Sequence, residues 1–208
     1  MPPEIDTSAR LTEIAEATLE VAREQGPRSV TIRAVAARMG RSTTVITKYV
    51  PSRSALLSNA VSHVRAGWDV AVAKALDQKA GLDRVRALMD WTLDTEDYDD
   101  AARRLWHETL AKEDPASEQW EALVDEAQDD HASIVTTIEE SAIDAPAWLA
   151  DVLYLVSRGF FVSTVADPEG WSGDRARVAV NAMLDDLVSP TAAKSTRTRT
   201  AKRTRPKA

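Results

Sequence analysis

The stretch Thr31–Tyr49 places the tightest constraint on the fold of this chain, because it reads as two short helices joined by a sharp turn. Gly40 supplies the backbone conformation that such a turn requires. Apolar residues at helical spacing give each helix one inward face. These residues are Val35, Ala36 and Met39 in the first helix, and Val45, Ile46 and Tyr49 in the second. The pattern predicts a helix-turn-helix, in which the second helix reads DNA.

The outward face of the second helix carries short polar and cationic side chains. Ser42 stands where a capping residue is expected. The short polar and cationic side chains of the outward face can reach base edges and phosphates in the major groove. The outward set is Thr43, Thr44, Thr47 and Lys48.

The segment Leu11–Leu57 resembles the DNA-binding domain of the tetracycline-repressor (TetR) family of bacterial regulators. The run Gly40–Leu57 carries the resemblance: a capped reading helix, an aromatic residue, a turn, a basic residue and a Leu pair. It departs from the family pattern at Arg41, where an apolar residue is usual, and at Thr47, where a phosphate-contacting Tyr is common. The resemblance implies an all-α fold, with an N-terminal three-helix helix-turn-helix domain followed by a helical ligand-binding and dimerisation domain.

The same resemblance implies which side chains contact DNA. Arg33 lies in the first helix at a position from which the family can reach a base, and Tyr49 and Arg53 match phosphate-contacting positions. The full predicted DNA-binding set is Arg33, Ser42, Thr43, Thr44, Thr47, Lys48, Tyr49 and Arg53.

Charge is divided unevenly along the chain, although its formal net value is −7. Residues 10–65 hold nine Lys/Arg against four Asp/Glu, whereas residues 66–188 hold ten against twenty-seven. Residues 189–208 hold seven basic residues and no acidic one. A basic end on an acidic body suits a protein that presents that end to DNA. The final basic stretch reads as a disordered tail, either an extra hold on phosphates or a solvated segment without effect.

Hydrophobic periodicity predicts helices throughout the chain. We divide the chain into four regions. These are a disordered N-terminus (1–9), a helix-turn-helix domain (10–55), a regulatory ligand-binding and dimerisation domain (56–188) and a basic disordered tail (189–208). Without Cys, disulfides and thiolate metal sites are excluded. The polar N-terminus lacks a signal-peptide pattern. We therefore expect a cytoplasmic location and no membrane partner.

The last two helices resemble those that pair with their copies in a TetR-family dimer. The helix expected over Pro146–Ala166 is apolar nearly all round, so it must be covered on more than one side. A homodimer is therefore expected, with the alternative of a monomeric core. The predicted interface residues are Leu153, Phe160, Val180 and Leu184.

Six Trp against two Phe is an unusual aromatic balance. Four Trp fall in helices that enclose the family's ligand cavity, where they are either core or the wall of a site for apolar, flat aromatic or cationic ligands. His131 shares an inward face with apolar residues. It is either a core residue bonded to a backbone carbonyl or a polar group in the cavity. His107 has the same two interpretations. The predicted ligand set is Trp68, Met89, Trp91, Trp106, His107, Trp120 and His131.

No pattern indicates catalysis, a cofactor or a metal site. The three His are scattered, and neither a Gly-rich phosphate loop nor a nucleophile motif is present. The sequence therefore predicts a homodimeric, ligand-responsive transcriptional regulator, a repressor released from a near-palindromic operator by a small-molecule effector. The alternative is an effector-independent, DNA-organising protein that uses the head and the basic tail.

Overall fold

The structure is a computed structural model that describes residues 7–94 and 100–188. Every regular element in these ranges is helical, which confirms the all-α prediction. A 3₁₀ turn, Pro27–Ser29, follows the first helix. The predicted disorder of residues 1–6 and 189–208 lies outside the described residues. The helices are α1 Thr7–Gln25, α2 Ile32–Arg38, α3 Thr43–Thr47, α4 Arg53–Leu76, α5 Gly81–Thr92, α6 Asp100–Lys112, α7 Glu118–Glu140, α8 Leu149–Ala166 and α9 Gly173–Val188.

The first helix begins earlier than the sequence predicts. Thr7–Ala9 was expected in the disordered N-terminus, but these residues form the first turn of α1. All three are exposed, so this turn carries no apolar stripe that could mark it as helical. The expectation of disorder is therefore wrong for residues 7–9.

Local capping explains the boundaries of the helix-turn-helix. Thr31 Oγ1 accepts a hydrogen bond from the Ala34 amide at 3.1 Å, which caps α2. Gly40 has φ of 61°, the left-handed conformation that the sharp turn before α3 requires. Ser42 occupies the N-cap position of α3, but its side chain makes no capping hydrogen bond.

The N-terminal core extends beyond the predicted domain boundary at residue 55. It gathers buried residues of α1, α2, α3 and the first half of α4, among them Ile14, Ile46 and Leu57. Three residues of α6 also belong to this core, namely Ala101, Ala102 and Leu105. The first half of α4 and part of α6 are thus packed with the helix-turn-helix head, while the end of α4 belongs to the second core.

The second core lies between α5, α7, α8 and α9, and it contains all four residues that the sequence assigned to the dimer interface. These are Leu153, Phe160, Val180 and Leu184, each at most 6% exposed within one subunit. Their assignment to the interface is wrong, because α8 and α9 turn their most apolar faces toward α5 and α7. The exposed apolar residues of the two helices are instead Leu155, Val162 and Val178.

Among the described residues, α8 alone is long and apolar enough to cross a membrane by composition. A third of that window is buried, and core helices of globular proteins have the same composition.

Candidate DNA-binding face and ligand cavity

The reading helix α3 is anchored by one buried side chain, while Val45 is half-buried and the other side chains are exposed. Ile46 is fully buried in the N-terminal core, which fixes the rotation of the helix. The outward residues Thr43, Thr44, Thr47 and Lys48 are all exposed. Lys48 Nζ lies 5.7 Å from the centroid of the half-buried Tyr49 ring. The structure therefore brings the predicted reading-helix residues onto one accessible face.

The elements next to α3 in the sequence also carry exposed cations. Arg33 on α2 and Arg41 in the turn are exposed, as is Arg28. Arg38, by contrast, donates to Glu20 at 2.7 Å and pairs with Glu24 on α1. The hydrogen bond from Arg38 to Glu20 raises the pKa of the guanidinium further above its ordinary value. The Arg38 side chain therefore links α2 to α1.

Arg53 does not join the exposed cations. Its Nε donates to the Val30 carbonyl at 2.8 Å, and its Nη2 donates to the Pro27 carbonyl at 3.0 Å. The same Nη2 lies 3.2 Å from Oε1 of Glu108 on α6. We therefore reassign Arg53 from the predicted phosphate contact to an internal one, which ties α4 to the 3₁₀ turn and to α6.

A cavity of about 610 Å³ lies in the body, lined by residues of α4 to α8. Its volume is within the range of small-molecule sites. Three of the predicted ligand residues line it, namely Trp68, Trp91 and Trp106. The Trp68 and Trp91 rings pack edge to face with centroids 6.3 Å apart. Tyr154 and Phe161 of α8 complete the aromatic part of the wall.

Two arginines of the wall share one carboxylate. Arg65 of α4 donates to Asp130 of α7 at 2.7 Å, and Arg158 of α8 donates to the same carboxylate at 2.9 Å. The Arg158 guanidinium also lies 5.1 Å from the Trp106 ring centroid and 5.2 Å from that of Tyr154. These contacts hold α4, α7 and α8 together around the cavity.

The other predicted ligand residues lie elsewhere. Met89 is 1% exposed in the second core. The Nε2 atom of His107 is 3.3 Å from the Phe161 carbonyl, behind the Trp106 ring. Of the two interpretations of His107, the contact corresponds to the first, a core histidine bonded to a backbone carbonyl.

Trp120 and His131 line a separate groove of about 470 Å³ on the outer side of Tyr154. His131 is not the inward residue that the helical spacing predicted. Its side chain is 37% exposed, and its Nε2 lies 2.8 Å from Oδ1 of Asp151 on α8. The spacing was misleading because the N-terminal half of α7 is covered on one side only, so its apolar stripe borders a groove.

Sequence reasoning missed the charged residues of the cavity wall, chiefly Arg65, Glu126 and Asp130. A weak signal was present, since Glu126 and Asp130 are four residues apart and share one face of α7. Arg158 likewise interrupts an otherwise apolar stretch of α8. Nothing in one sequence indicates that α4, α7 and α8 bring these groups together.

Comparison with known proteins supports this architecture. The chain is 30% identical over 103 residues to the HTH-type transcriptional regulator BetI of Proteus mirabilis, covering 48% of this chain and 51% of BetI. The chain thus matches about half the length of that curated relative. No protein-family model matches.

Solved structures are similar over most of the chain. A transcriptional regulator from Saccharomonospora viridis in complex with choline superposes with a TM-score of 0.67 at 20% identity, over 86% of this chain and 96% of that one. A TetR-family regulator from Mesorhizobium loti gives a TM-score of 0.60 at 12% identity, over 88% and 97%. The shared fold agrees with the resemblance found in the helix-turn-helix sequence.

Proposed function

We propose, from the TetR-family fold that this chain adopts, that the protein is a sequence-specific DNA-binding transcriptional regulator, a repressor released from its operator by a small-molecule effector. The observation that carries this proposal is the pairing of an exposed polar reading helix with a lined cavity in the same subunit. The helix α4 contributes to both, because its first turn packs in the head and its middle lines the cavity.

The head has the surface that a major-groove reader needs. Short hydroxyl side chains and Lys48 are exposed on α3, and Arg28, Arg33 and Arg41 of the preceding segments are exposed as well. Hydroxyls and cations at such positions bind base edges and phosphates. This arrangement supports DNA as the macromolecular partner, in the cytoplasm where bacterial regulators meet the chromosome.

The exposed apolar residues of α8 and α9 support a homodimer. Leu155 and Val162 lie seven residues apart on α8, with Gly159 exposed between them, and Val178 of α9 is 72% exposed. Exposed apolar side chains of this kind are typical of a protein contact. Two copies joined here would place two reading helices on half-sites about one helical turn apart, on a near-palindromic operator.

Helix α6 provides a second connection between the cavity and the head, in addition to α4. Trp106 and Arg103 line the cavity, while Glu108 of the same helix and Glu113, directly after its end, contact Arg53 and Ser54 at the start of α4. A ligand that moves Trp106 therefore displaces the anchor of α4. Such a ligand can release DNA only if it binds the two arrangements of the heads with different affinity.

The cavity suits an apolar or cationic effector. Aromatic rings form much of its wall, and such rings bind both apolar bodies and organic cations. The structurally similar regulator from Saccharomonospora viridis holds choline, a small organic cation. The two findings together favour a compact molecule over a long chain.

Selection of bound duplexes from a random DNA pool tests the proposal. We expect the recovered sites to contain two related half-sites in inverted orientation, because a two-fold dimer contacts DNA twice in the same way. Recovery of sequences without any common motif would contradict the proposal and favour the DNA-organising alternative.

A further inference from the structure

The carboxylate of Glu126 is a charged group of the cavity wall that its neighbours among the described residues satisfy only in part. Its side chain is 21% exposed, and its Oε2 is buried without a hydrogen-bond donor in the described structure. The nearest ion-pair partner is Arg65, whose Nε lies 3.8 Å from Oε2. That separation is too long for a hydrogen bond. One oxygen of this carboxylate therefore has no donor among the described residues, while the exposed fifth of the side chain is the part that a ligand in the cavity can contact.

The arginines around Glu126 do not supply this donor because they bind a different carboxylate. Arg65 directs both terminal nitrogens at Asp130, at 3.3 and 2.7 Å, and Arg158 binds Asp130 as well. Asp130 therefore takes the positive charge of two guanidinium groups, while Glu126 receives only a long contact. The wall contains Asp69 and Asp129 in addition.

Burial makes this carboxylate costly in free energy. Desolvation raises the pKa of Glu126 above its ordinary value, and the charge of Arg65 offsets this only in part. A buried acceptor that lacks a donor is unfavourable until a partner arrives. A ligand that brings both a positive charge and an N–H donor would relieve both deficits.

The apolar part of such a ligand has a place beside Glu126. The edge-to-face pair of Trp68 and Trp91 lies in the same cavity, with Leu88 and Ile134 among the lining residues. An aromatic or aliphatic body can pack against these side chains while its charged end reaches α7.

The arginines of the wall already have partners. Arg65 and Arg158 bind Asp130, and Arg103 donates to Thr164 and Asp100. An anionic ligand would therefore compete with these contacts and meet the acidic side chains of α7.

We propose that the cavity binds a small primary or secondary ammonium compound with an apolar body, anchored by a charge-assisted hydrogen bond to Glu126. This proposal deepens the proposed function and rests on it to the extent that the cavity is the effector site. It separates protonated amines from quaternary ammonium compounds, because the latter carry charge without an N–H donor and leave the carboxylate unsatisfied.

Calorimetric titration of the full chain with four matched probes tests the proposal. The probes are phenethylamine, its N,N,N-trimethyl derivative, 2-phenylethanol and 3-phenylpropanoate. We expect phenethylamine to bind at least tenfold more tightly than the other three, the order of effect of one charge-assisted hydrogen bond. Equal or tighter binding of any of the other three, or no binding of phenethylamine up to about 10 mM, would overturn the proposal.

Two variants test whether Glu126 is the residue that binds the ammonium group. Glu126→Gln keeps the shape of the side chain and removes its charge, so we expect phenethylamine to bind about tenfold more weakly or worse. Asp125→Asn, the adjacent exposed position outside the cavity wall, should leave the affinity unchanged. Thermal unfolding of both variants verifies that they are folded. Wild-type affinity in folded Glu126→Gln, or an equal loss in Asp125→Asn, would contradict the role of Glu126.

DNA binding measured on the same samples separates this inference from the proposed function. Amine binding through Glu126 in a protein that has no DNA preference would leave the inference standing and refute the proposed function. Selective DNA binding by a protein that binds phenethylamine no better than the neutral alcohol would refute the inference alone.

Discussion

Arg53 and Glu108 form an ion pair at 3.2 Å that joins the first turn of α4 to α6. The pair lies beside the 3₁₀ turn, whose Pro27 carbonyl accepts from the same guanidinium nitrogen. Because α6 also carries Trp106 in the cavity wall, this contact connects the cavity with the base of the helix-turn-helix head.

Loss of the Glu108 charge should destabilise the protein in a pH-dependent way. The hydrogen bond from Lys112 lowers the pKa of Glu108 below its ordinary value, with further contributions from the charges of Lys112 and Arg53. A lowered folded-state pKa gives stability that is present above the unfolded-state pKa and is lost as the pH falls through the folded-state value. We expect Glu108→Gln to lower the free energy of unfolding by about 1 kcal/mol at neutral pH.

Urea unfolding at neutral and at progressively acidic pH measures this difference. The deficit of Glu108→Gln should shrink as the pH falls, because wild-type Glu108 is then protonated too. Glu121→Gln, at an exposed position of α7, is the matched control and should show little change. A deficit that is equally large at acidic pH would indicate that packing, and not the charge, carries the contact.

Removal of the Glu126 charge should have the opposite effect on stability. Burial raises the pKa of Glu126, so its linkage contribution favours folding below the unfolded-state pKa and is lost as the pH rises through the raised folded-state value. We therefore expect Glu126→Gln to be at least as stable as the wild type at neutral pH, with the advantage smaller at acidic pH. Denaturant unfolding at both pH values tests this, and a clear loss of stability at neutral pH would contradict the interpretation of Glu126 as a poorly satisfied charge.

The dimer proposal predicts different results at two equally exposed valines. Val178 of α9 is 72% exposed and Val70 of α4 is 73% exposed, but only Val178 lies on the α8–α9 face. Val178→Asp should give a folded monomer, since a charge without a partner in a dimer interface costs several kcal/mol. Val70→Asp should remain dimeric. Sedimentation measures both, and a wild-type protein that sediments as a monomer at micromolar concentration would refute the dimer itself.

We expect substitution of a lysine on the DNA-binding face to lower the affinity for DNA, and substitution of a lysine elsewhere to leave it unchanged. Lys48→Ala should weaken binding to a selected duplex by about 1–3 kcal/mol, because Lys48 is an exposed cation at the end of the reading helix. Lys74→Ala removes an exposed lysine near the far end of α4 and should leave the affinity unchanged. Fluorescence anisotropy at one fixed salt concentration measures both. Equal effects of the two substitutions would show that charge alone, without position, determines binding.

The sequence predicted best where short-range rules decide the structure. Gly40 and the apolar positions of α2 and α3 interact within about twenty residues, so spacing alone indicated the helix-turn-helix. The cap of α4 is equally local, because the hydroxyl of Ser52 accepts from the Ala55 amide at 3.0 Å. Capping and turn chemistry depend on neighbours in the chain and can be read from it.

The sequence predicted less well where several helices must meet. Leu184 and Phe160 have the apolar character of an interface, but whether they face a second subunit or α5 depends on the packing of the whole body. Arg53 has the position of a phosphate contact, yet carbonyls more than twenty residues away and Glu108 determine its orientation. Such outcomes rest on long-range contacts that periodicity does not encode.

The ratio of affinities for a selected duplex and a shuffled duplex of equal composition tests the central claim most directly. At one salt concentration, a regulator that reads sequence through α3 should bind the selected duplex on the order of 10³-fold more tightly or better. The non-specific electrostatic contribution is the same for both duplexes, so it cancels in the ratio. Equal dissociation constants for the two duplexes would contradict the account, because the exposed face of α3 would then read no sequence.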